Sequence, residues 1–134
     1  MTDTTINIEL YKSLFKGRTD IYAVRWKKDE RSGYMPAYKV DWTDYSKHKA
    51  QRGTFKDYKN KEYLPYDEKA IEIHLSGKET HGIYPLLEDN TSFFIAVDFD
   101  KQNWQETILR LFETCQKFEL PAYIERSRSG NGGH

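Results

Sequence analysis

The feature that most constrains the fold is an apolar run that ends in two aspartates, FFIAVDFD, at residues 93–100. Aromatic and branched residues in a short run of this kind favour a β-strand. Side chains at alternate positions of a strand share one face, so Asp98 and Asp100 should lie side by side, with Cα atoms about 7 Å apart. The opposite face should anchor the strand in a core through Phe93, Ile95, Val97 and Phe99.

Two carboxylates this close, Asp98 and Asp100, repel each other and raise each other's pKa unless a cation lies between them. Hard oxygen ligands at a rigid strand end suit Mg²⁺ or Mn²⁺. Two such ions can hold the attacking and leaving oxygens of a nucleotidyl transfer. The alternative is a solvated strand end that carries two charges at its rim. The pair alone does not decide between these two interpretations.

A second motif, RSGNGGH, occupies residues 128–134 and follows one predicted helix and one predicted strand. Its three glycines, Gly130 among them, let the backbone approach a ligand and point N–H groups at an anion. Arg128, Ser129 and His134 add side chains that can donate to phosphate oxygens. The motif therefore indicates a triphosphate contact, and an ordinary glycine-rich hairpin is the alternative.

The remaining patterns predict a mixture of helices and strands, in which a helix packs on one face of a β-sheet. Asp67 and Asn103 are the predicted N-caps of two helices. Helices are predicted at residues 7–17, 67–75 and 103–120, strands at 20–26, 35–42, 82–87, 92–100 and 122–129, and a basic loop at 46–61.

The order of these elements resembles the catalytic core of the archaeo-eukaryotic primase superfamily. In that family an apolar strand ends in Asp-x-Asp, which Asp98 and Asp100 match, and a Ser-Gly turn leads to a histidine, which Ser129, Gly130 and His134 match. The resemblance implies an α+β fold: an N-terminal α/β part, then the start of an RRM-like catalytic sheet with its packed helix. It also implies that the carboxylates bind the metal ions and that the turn holds the incoming nucleotide. The family's third aspartate, on a later strand, has no match here.

Three further segments, LFKGRTDIYAVRW, HLSGKETHGIYPLL and ERSRSGNGGH, resemble the primase domain of the bacterial conflict systems called TOTE. That resemblance implies a template-dependent primase-polymerase that uses NTP or dNTP with Mg²⁺ or Mn²⁺, beside helicase or nuclease modules. Relatives often carry a Cys-x-x-Cys knuckle before the equivalent of KEYLPY. This chain has no cysteine there, so no zinc is expected. Lys78 and His81 are further candidates for nucleotide contact.

Charge is distributed unevenly along a chain whose formal net charge is zero. Residues 12–61 contain 14 lysines and arginines but 6 aspartates and glutamates, and aromatic residues are interleaved among them. Cations can meet phosphates while rings stack on bases, so this segment predicts contact with a single-stranded template. The alternative is that the lysines form a solvated face and the rings a core.

Two other functions remain open from the residues themselves. A two-metal nuclease would use the same carboxylates but would not need a triphosphate-binding turn. A non-catalytic nucleic-acid-binding module would need only the basic, aromatic segment. Metal-dependent nucleotide binding separates the primase-polymerase from both of them.

With 134 residues, the chain is predicted to be a partial catalytic domain. Its basic N-terminal part is expected at 1–75 and the first part of its core at 76–134. No apolar run approaches the length of a membrane span, no secretory signal is seen, and a single cysteine excludes a disulfide framework. We therefore expect a cytoplasmic location. We also expect residues 1–134 alone to be inactive and poorly soluble, because the predicted sheet lacks its later strands.

Overall fold

The computed structural model describes residues 3–100 and 102–134. The chain forms two compact units, Met1–Phe94 and Ile95–His134. Helices and small antiparallel sheets coexist, so the predicted α+β class is confirmed.

The N-terminal unit contains three helices and five short strands within the described residues. Strands β2, β1 and β5 form one antiparallel sheet in that order, and β3 and β4 form a second antiparallel pair. The elements are α1 (Asp3–Leu14), β1 (Ala23–Lys28), β2 (Arg31–Pro36), β3 (Tyr38–Val40), α2 (Trp42–Ala50), β4 (Lys61–Tyr63), α3 (Glu68–Leu75) and β5 (His81–Gly82).

Aromatic rings build much of the core of this unit. Tyr22 is buried and stacks on Tyr66, with ring centroids 5.0 Å apart. The hydroxyls of Tyr66 and Tyr11 share a hydrogen bond of 2.9 Å. Burial, with this hydrogen bond second, raises the pKa of Tyr66 well above its usual range. Tyr22 and Tyr58 belong to the basic segment and are buried, so its aromatic residues serve the core in part, as the alternative interpretation expected.

Ala37 connects the two sheets through its backbone. Its N–H donates to the carbonyl of Tyr22 at 2.8 Å, and its own carbonyl accepts from the N–H of Leu64 at 3.0 Å. The chain breaks its strand here because Pro36, the last residue of β2, has no N–H to offer a continuing ladder. The single strand predicted for residues 35–42 is therefore wrong, and two strands and a helix start occupy that range.

The predicted helix at residues 67–75 is confirmed as α3. Its N-cap is Asp67, whose carboxylate accepts from the N–H of Ala70 at 2.9 Å, as the sequence predicts. The predicted loop at 46–61 is wrong in its first part, which belongs to α2. Asp41 caps α2 by accepting from the N–H groups of Thr43 and Asp44, and basic residues in the last turn suit the helix dipole.

The segment that lacks the cysteine knuckle is held by hydrogen bonds to a carboxylate. Asp57 accepts from the backbone N–H and the hydroxyl of Thr54 at 2.7 and 3.0 Å, and its Oδ1 lies 3.0 Å from Nε2 of His48. The bond from His48, followed by those from Thr54, lowers the pKa of Asp57 to about 2. These contacts join the end of α2 to the loop that follows it.

We predict that Asp57→Ala lowers the midpoint of thermal unfolding at neutral pH. Because the pKa of Asp57 falls on folding, from 3.8 to about 2, its stabilising effect is full above pH 3.8 and is lost as the pH falls through 2. Thermal unfolding followed by circular dichroism from pH 6 to pH 2 should show the gap between wild type and variant closing. Asp29→Asn, at the β1–β2 turn, is the control and should leave the pH profile unchanged. A gap that stays constant down to pH 2 would assign the loss to packing instead of charge.

The hairpin predicted between residues 82–87 and 92–100 does not form within the described residues. Strand β5 is limited to His81–Gly82. The turn between the two segments is present, since Leu87 and Thr91 bond through their backbones at 2.9 Å and Asp89 accepts from the N–H of Thr91 at 3.0 Å. The turn depends on residues that are close in the sequence, so it could be predicted. The hairpin also needs backbone hydrogen bonds between the two segments, and these do not form among the described residues.

The C-terminal unit contains one helix, α4 (Trp104–Lys117), and extended segments joined by isolated bridges at Phe99–Gly133 and Arg126–Gly133. The strands predicted at 92–100 and 122–129 are present only as these short bridges. The apolar side predicted to be buried is exposed, and Ile95 reaches 91% exposure. The core prediction for that face is therefore wrong for Phe93, Ile95 and Val97.

Helix α4 confirms the predicted amphipathic helix but not its predicted cap. Asn103 lies in the left-handed region with φ 64°, and its side chain makes no capping bond. Its carbonyl instead accepts from the N–H and the hydroxyl of Thr107, both at 3.1 Å. The apolar spacing predicts one inner face, on which Ile108 is buried and Cys115 half-buried, whereas Leu111 and Phe118 of the same predicted face are exposed. Within residues 3–100 and 102–134, no helix has the length and apolar character that a membrane crossing requires.

Candidate nucleotide and metal site

The last residues of the chain lie between two extended segments and bring the two predicted motifs together. Phe99 and Gly133 exchange backbone hydrogen bonds of 2.9 and 3.1 Å. On the other side, Glu125 and His134 exchange bonds of 3.0 and 2.8 Å. Both pairings are antiparallel, so a residue from each motif is hydrogen-bonded to the other across the bridge. The carboxylate motif and the glycine turn therefore form one site.

His134 lies between two carboxylates. Its Nε2 is 3.4 Å from Oδ1 of Asp98, and its Nδ1 is 3.9 Å from Oε2 of Glu125. The ring is 40% exposed and the side chain of Asp98 is 61% exposed, so both groups can reach a ligand in solvent. Asp98 and His134, which the sequence predicted from separate motifs, are thus neighbours.

Gly132 gives the second carboxylate its space. A Cβ at this position would lie 2.8 Å from Oδ1 of Asp100 and 2.8 Å from the carbonyl oxygen of Phe99. Real Cβ atoms do not make contacts this short, so a side chain here would displace the carboxylate or the backbone. The glycine is therefore needed for Asp100 to lie against the turn.

Gly133 lets helix α4 pack directly on the backbone of the site. A Cβ here would lie 2.7 Å from Cζ3 of Trp104 and 3.0 Å from Cδ1 of Ile108. The helix was predicted to pack on a sheet, and at this point it packs instead on a backbone joined by isolated bridges. Because α4 contacts the residue beside His134, the helix fixes the position of the site's last segment.

Internal hydrogen bonds shape the turn itself. Gly130 has φ 78°, which favours glycine, and its N–H donates to the carbonyl of Ser127 at 2.8 Å. The guanidinium of Arg126 donates to the carbonyl of Gly130 at 3.3 and 3.4 Å. The hydroxyls of Ser127 and Ser129 lie 3.2 Å apart, and Ser129 also accepts from the N–H of Asn131 at 3.3 Å.

These bonds change which groups are available to an anion. The N–H groups of Gly130 and Gly133 donate within the protein, so these two are not available for the predicted contact with an anion. Arg128 is exposed, and in the part of the chain that the structure describes its side chain makes no hydrogen bond or ion pair. Among the described residues of this site, Arg128 and His134 therefore remain to turn toward a phosphate.

Sequence reasoning placed Arg126 beside Arg128 on one strand face but did not predict its bond to the turn, and it missed Glu125 as a part of the site. Arg126 secures the turn, and Glu125 pairs with His134 through both its backbone and its carboxylate. A signal was present, since a hairpin closed around Gly130 places residues 125 and 134 opposite each other. The signal is weak, because the register of a hairpin depends on the geometry and length of its turn.

Lys78 and His81 lie in the N-terminal unit. The side chain of His81 is wholly buried, and its Nε2 is 2.9 Å from Oε2 of Glu79. Its ring packs on Tyr22 at 4.7 Å and on His74 at 5.7 Å. This environment gives His81 a packing role, whereas Lys78 is exposed after α3. The assignment of both residues to the nucleotide stays a prediction.

The donor set of Asp98 and Asp100 fits a hard divalent cation. Both carboxylates are exposed, and carboxylate oxygen is the ligand type that Mg²⁺ and Mn²⁺ prefer. Among residues 3–100 and 102–134, no group of three or more His, Cys, Asp or Glu side chains is arranged to hold a metal. A cation bound by these two carboxylates would therefore take its other ligands from water or from a triphosphate.

Comparison with known proteins gives one match. A family model described as the archaeo-eukaryotic primase domain of TOTE conflict systems matches residues 6–134. No curated protein and no solved structure matches the chain significantly. The family match covers nearly the whole chain, including both motifs of the site. The chain therefore belongs to the TOTE conflict-system family of archaeo-eukaryotic primase domains.

Proposed function

We propose that this chain is the nucleotidyl-transfer domain of a template-dependent primase-polymerase that uses NTP or dNTP with Mg²⁺ or Mn²⁺. The observation that carries the proposal is the bridge between Phe99 and Gly133, which brings the Asp98–Asp100 pair beside the turn that ends in His134. Family membership supports the same reaction class. The proposal extends to a cytoplasmic location and to helicase or nuclease modules as partners in the same system.

In this proposal each group of the site has a separate task. Asp98 and Asp100 hold the metal ions, which supply charge stabilisation for phosphoryl transfer when bound. Arg128 and His134 donate to oxygens of the triphosphate and orient it. Gly132 keeps the second carboxylate close to the turn, and α4 keeps the turn rigid through Gly133. A rigid site places the reacting groups before the nucleotide arrives, which reduces the entropic cost of the reaction.

The test is nucleotide binding with and without metal. Residues 1–134 are titrated with a labelled NTP or dNTP in Mn²⁺ and again in a chelator, and primer extension is measured on a protein that carries this chain with a later aspartate-bearing strand. Metal-dependent binding and templated extension are expected. Strand cleavage without nucleotide binding would identify a nuclease, and strand binding that ignores both metal and nucleotide would identify a binding module.

We predict that His134→Ala weakens nucleotide binding by roughly tenfold to a hundredfold, because a charge-assisted contact contributes about 1.5–3 kcal/mol. Fluorescence titration with labelled nucleotide in Mn²⁺ measures the loss. Glu113→Ala, an exposed change on α4 in the same unit, is the control and should bind nucleotide normally. If His134→Ala binds nucleotide normally but loses affinity for a single strand, the turn contacts the template instead.

A further inference from the structure

The hairpin of β1 and β2 carries a tryptophan that lies against a glycine. Trp26 and Gly33 are opposite each other in the antiparallel register. A Cβ at Gly33 would lie 3.1, 3.2 and 3.3 Å from three atoms of the indole. The indole therefore covers the backbone of the facing strand, and a side chain at residue 33 would push it away. This contact fixes the ring in one orientation.

The indole of Trp26 remains accessible although it is fixed. The residue is 39% exposed, and no other aromatic ring or cation contacts it within the described residues. Large aromatic side chains stabilise a fold mainly by burying area, so a ring held flat and left exposed contributes only part of what it could. A binding role explains the arrangement. Because the ring is already held in one orientation, the side chain loses little conformational entropy when a ligand covers its exposed side.

Two cations lie on the same strand face as this ring. Lys28 and Arg31 face each other next to the turn and share the strand face of Trp26, because alternate residues of a strand point the same way. Arg25 and Lys27 belong to the other face of the same hairpin. The hairpin thus carries four cations but only two carboxylates, which belong to its turn at residues 29 and 30. The charge is complementary to a polyanion.

We propose that Trp26 is a stacking platform for one base of a single-stranded nucleic acid, and that Lys28 and Arg31 contact the phosphates beside it. An exposed ring flanked by cations is the combination that binds single strands without regard to sequence, because every base has a flat face. The inference rests on the proposed function insofar as this strand is the template. The contact itself needs neither nucleotide nor metal.

The experiment measures anisotropy of a labelled oligothymidine with residues 1–134, without NTP or divalent metal, for wild type and Trp26→Ala. A loss of roughly tenfold is expected, as for removal of one stacking ring. Trp26→Phe should retain most of the affinity because it keeps a flat ring. Phe118→Ala is the matched control, since Phe118 is 66% exposed and lies outside the basic segment of residues 12–61, and it should bind as wild type does.

A strand of the same length without bases separates stacking from charge. Wild type and Trp26→Ala should bind this abasic strand equally. The double variant Lys28→Ala with Arg31→Ala should bind both the abasic strand and oligothymidine more weakly, and its binding should depend less on salt concentration. Circular dichroism of each variant checks that the fold persists. The proposal is overturned if wild type does not bind oligothymidine, or if Trp26→Ala binds it with wild-type affinity. It is also overturned if Trp26→Ala loses as much affinity for the abasic strand as for oligothymidine. Failure of nucleotide incorporation alone would overturn the proposed function and leave the Trp26 result standing.

Discussion

Replacement of Asp98 or Asp100 by asparagine should abolish metal-dependent nucleotide binding and templated extension while the fold stays intact. Asparagine keeps the shape of the side chain but removes the charge that a hard cation requires. A catalytic metal supplies several kcal/mol of charge stabilisation, so extension should fall by roughly a thousandfold or more. Because both side chains are exposed, neither change removes core packing.

Two measurements make this prediction decisive. Thermal unfolding by circular dichroism should show wild-type stability for both variants, and Glu113→Gln on α4 should show wild-type nucleotide binding as the matched charge control. Binding is measured on residues 1–134, and extension on a longer protein that contains this chain. Near-normal extension by either aspartate variant would contradict the two-carboxylate mechanism.

Local signals predicted some elements well because each depends on neighbouring residues alone. Asp67 caps α3 as expected, since an aspartate before an apolar helical pattern needs no distant partner. The existence of α4 also followed from its apolar spacing. The N-cap position at Asn103 was predicted as well, but the capping bond does not form, because Asn103 adopts a left-handed conformation and its side chain makes no such bond.

Helix α2 was missed because polar, partly long-range contacts hold it. Its sequence lacks apolar periodicity, and none of its residues is buried. Asp41 caps it, and Asp44 accepts from the hydroxyl of Tyr58 at 2.8 Å and from the side chain of Asn60 at 2.9 Å. These bonds lower the pKa of Asp44, that from Asn60 most. Burial, followed by the bond to Asp44, raises the pKa of Tyr58 to about 12. Single-sequence patterns carry no information on such pairings.

Strand predictions failed where pairing is decided by tertiary contacts. Residues 93–98 have high strand propensity, yet propensity reflects a fit to a pleated neighbour instead of an intrinsic backbone preference. Of the apolar run, Phe99 alone forms a bridge within the described residues. The sequence predicted which residue types the site would contain, whereas the contact of Asp98 with His134 and the pairing of Glu125 depend on a register that appears only in the fold.

Gly133→Ala should destabilise the C-terminal unit and weaken nucleotide binding together. The new methyl carbon would meet the ring of Trp104 at 2.7 Å and the side chain of Ile108 at 3.0 Å, so α4 or the backbone beside His134 must move. Overpacking of this kind costs about 1–3 kcal/mol. Thermal unfolding and nucleotide titration on residues 1–134 measure the two effects.

The comparison with Gly82→Ala and a compensating change shows whether the clash is the cause. A Cβ at Gly82 has its nearest neighbour at 3.6 Å, an ordinary contact, so Gly82→Ala should be near neutral. The double variant Gly133→Ala with Trp104→Leu should be more stable than the sum of the two single losses of stability predicts, because residues in contact are energetically coupled. If Gly133→Ala has the unfolding midpoint and the nucleotide affinity of the wild type, α4 does not fix the turn. The site would then depend on the bridge between Phe99 and Gly133 alone, and the helix would have no part in positioning His134.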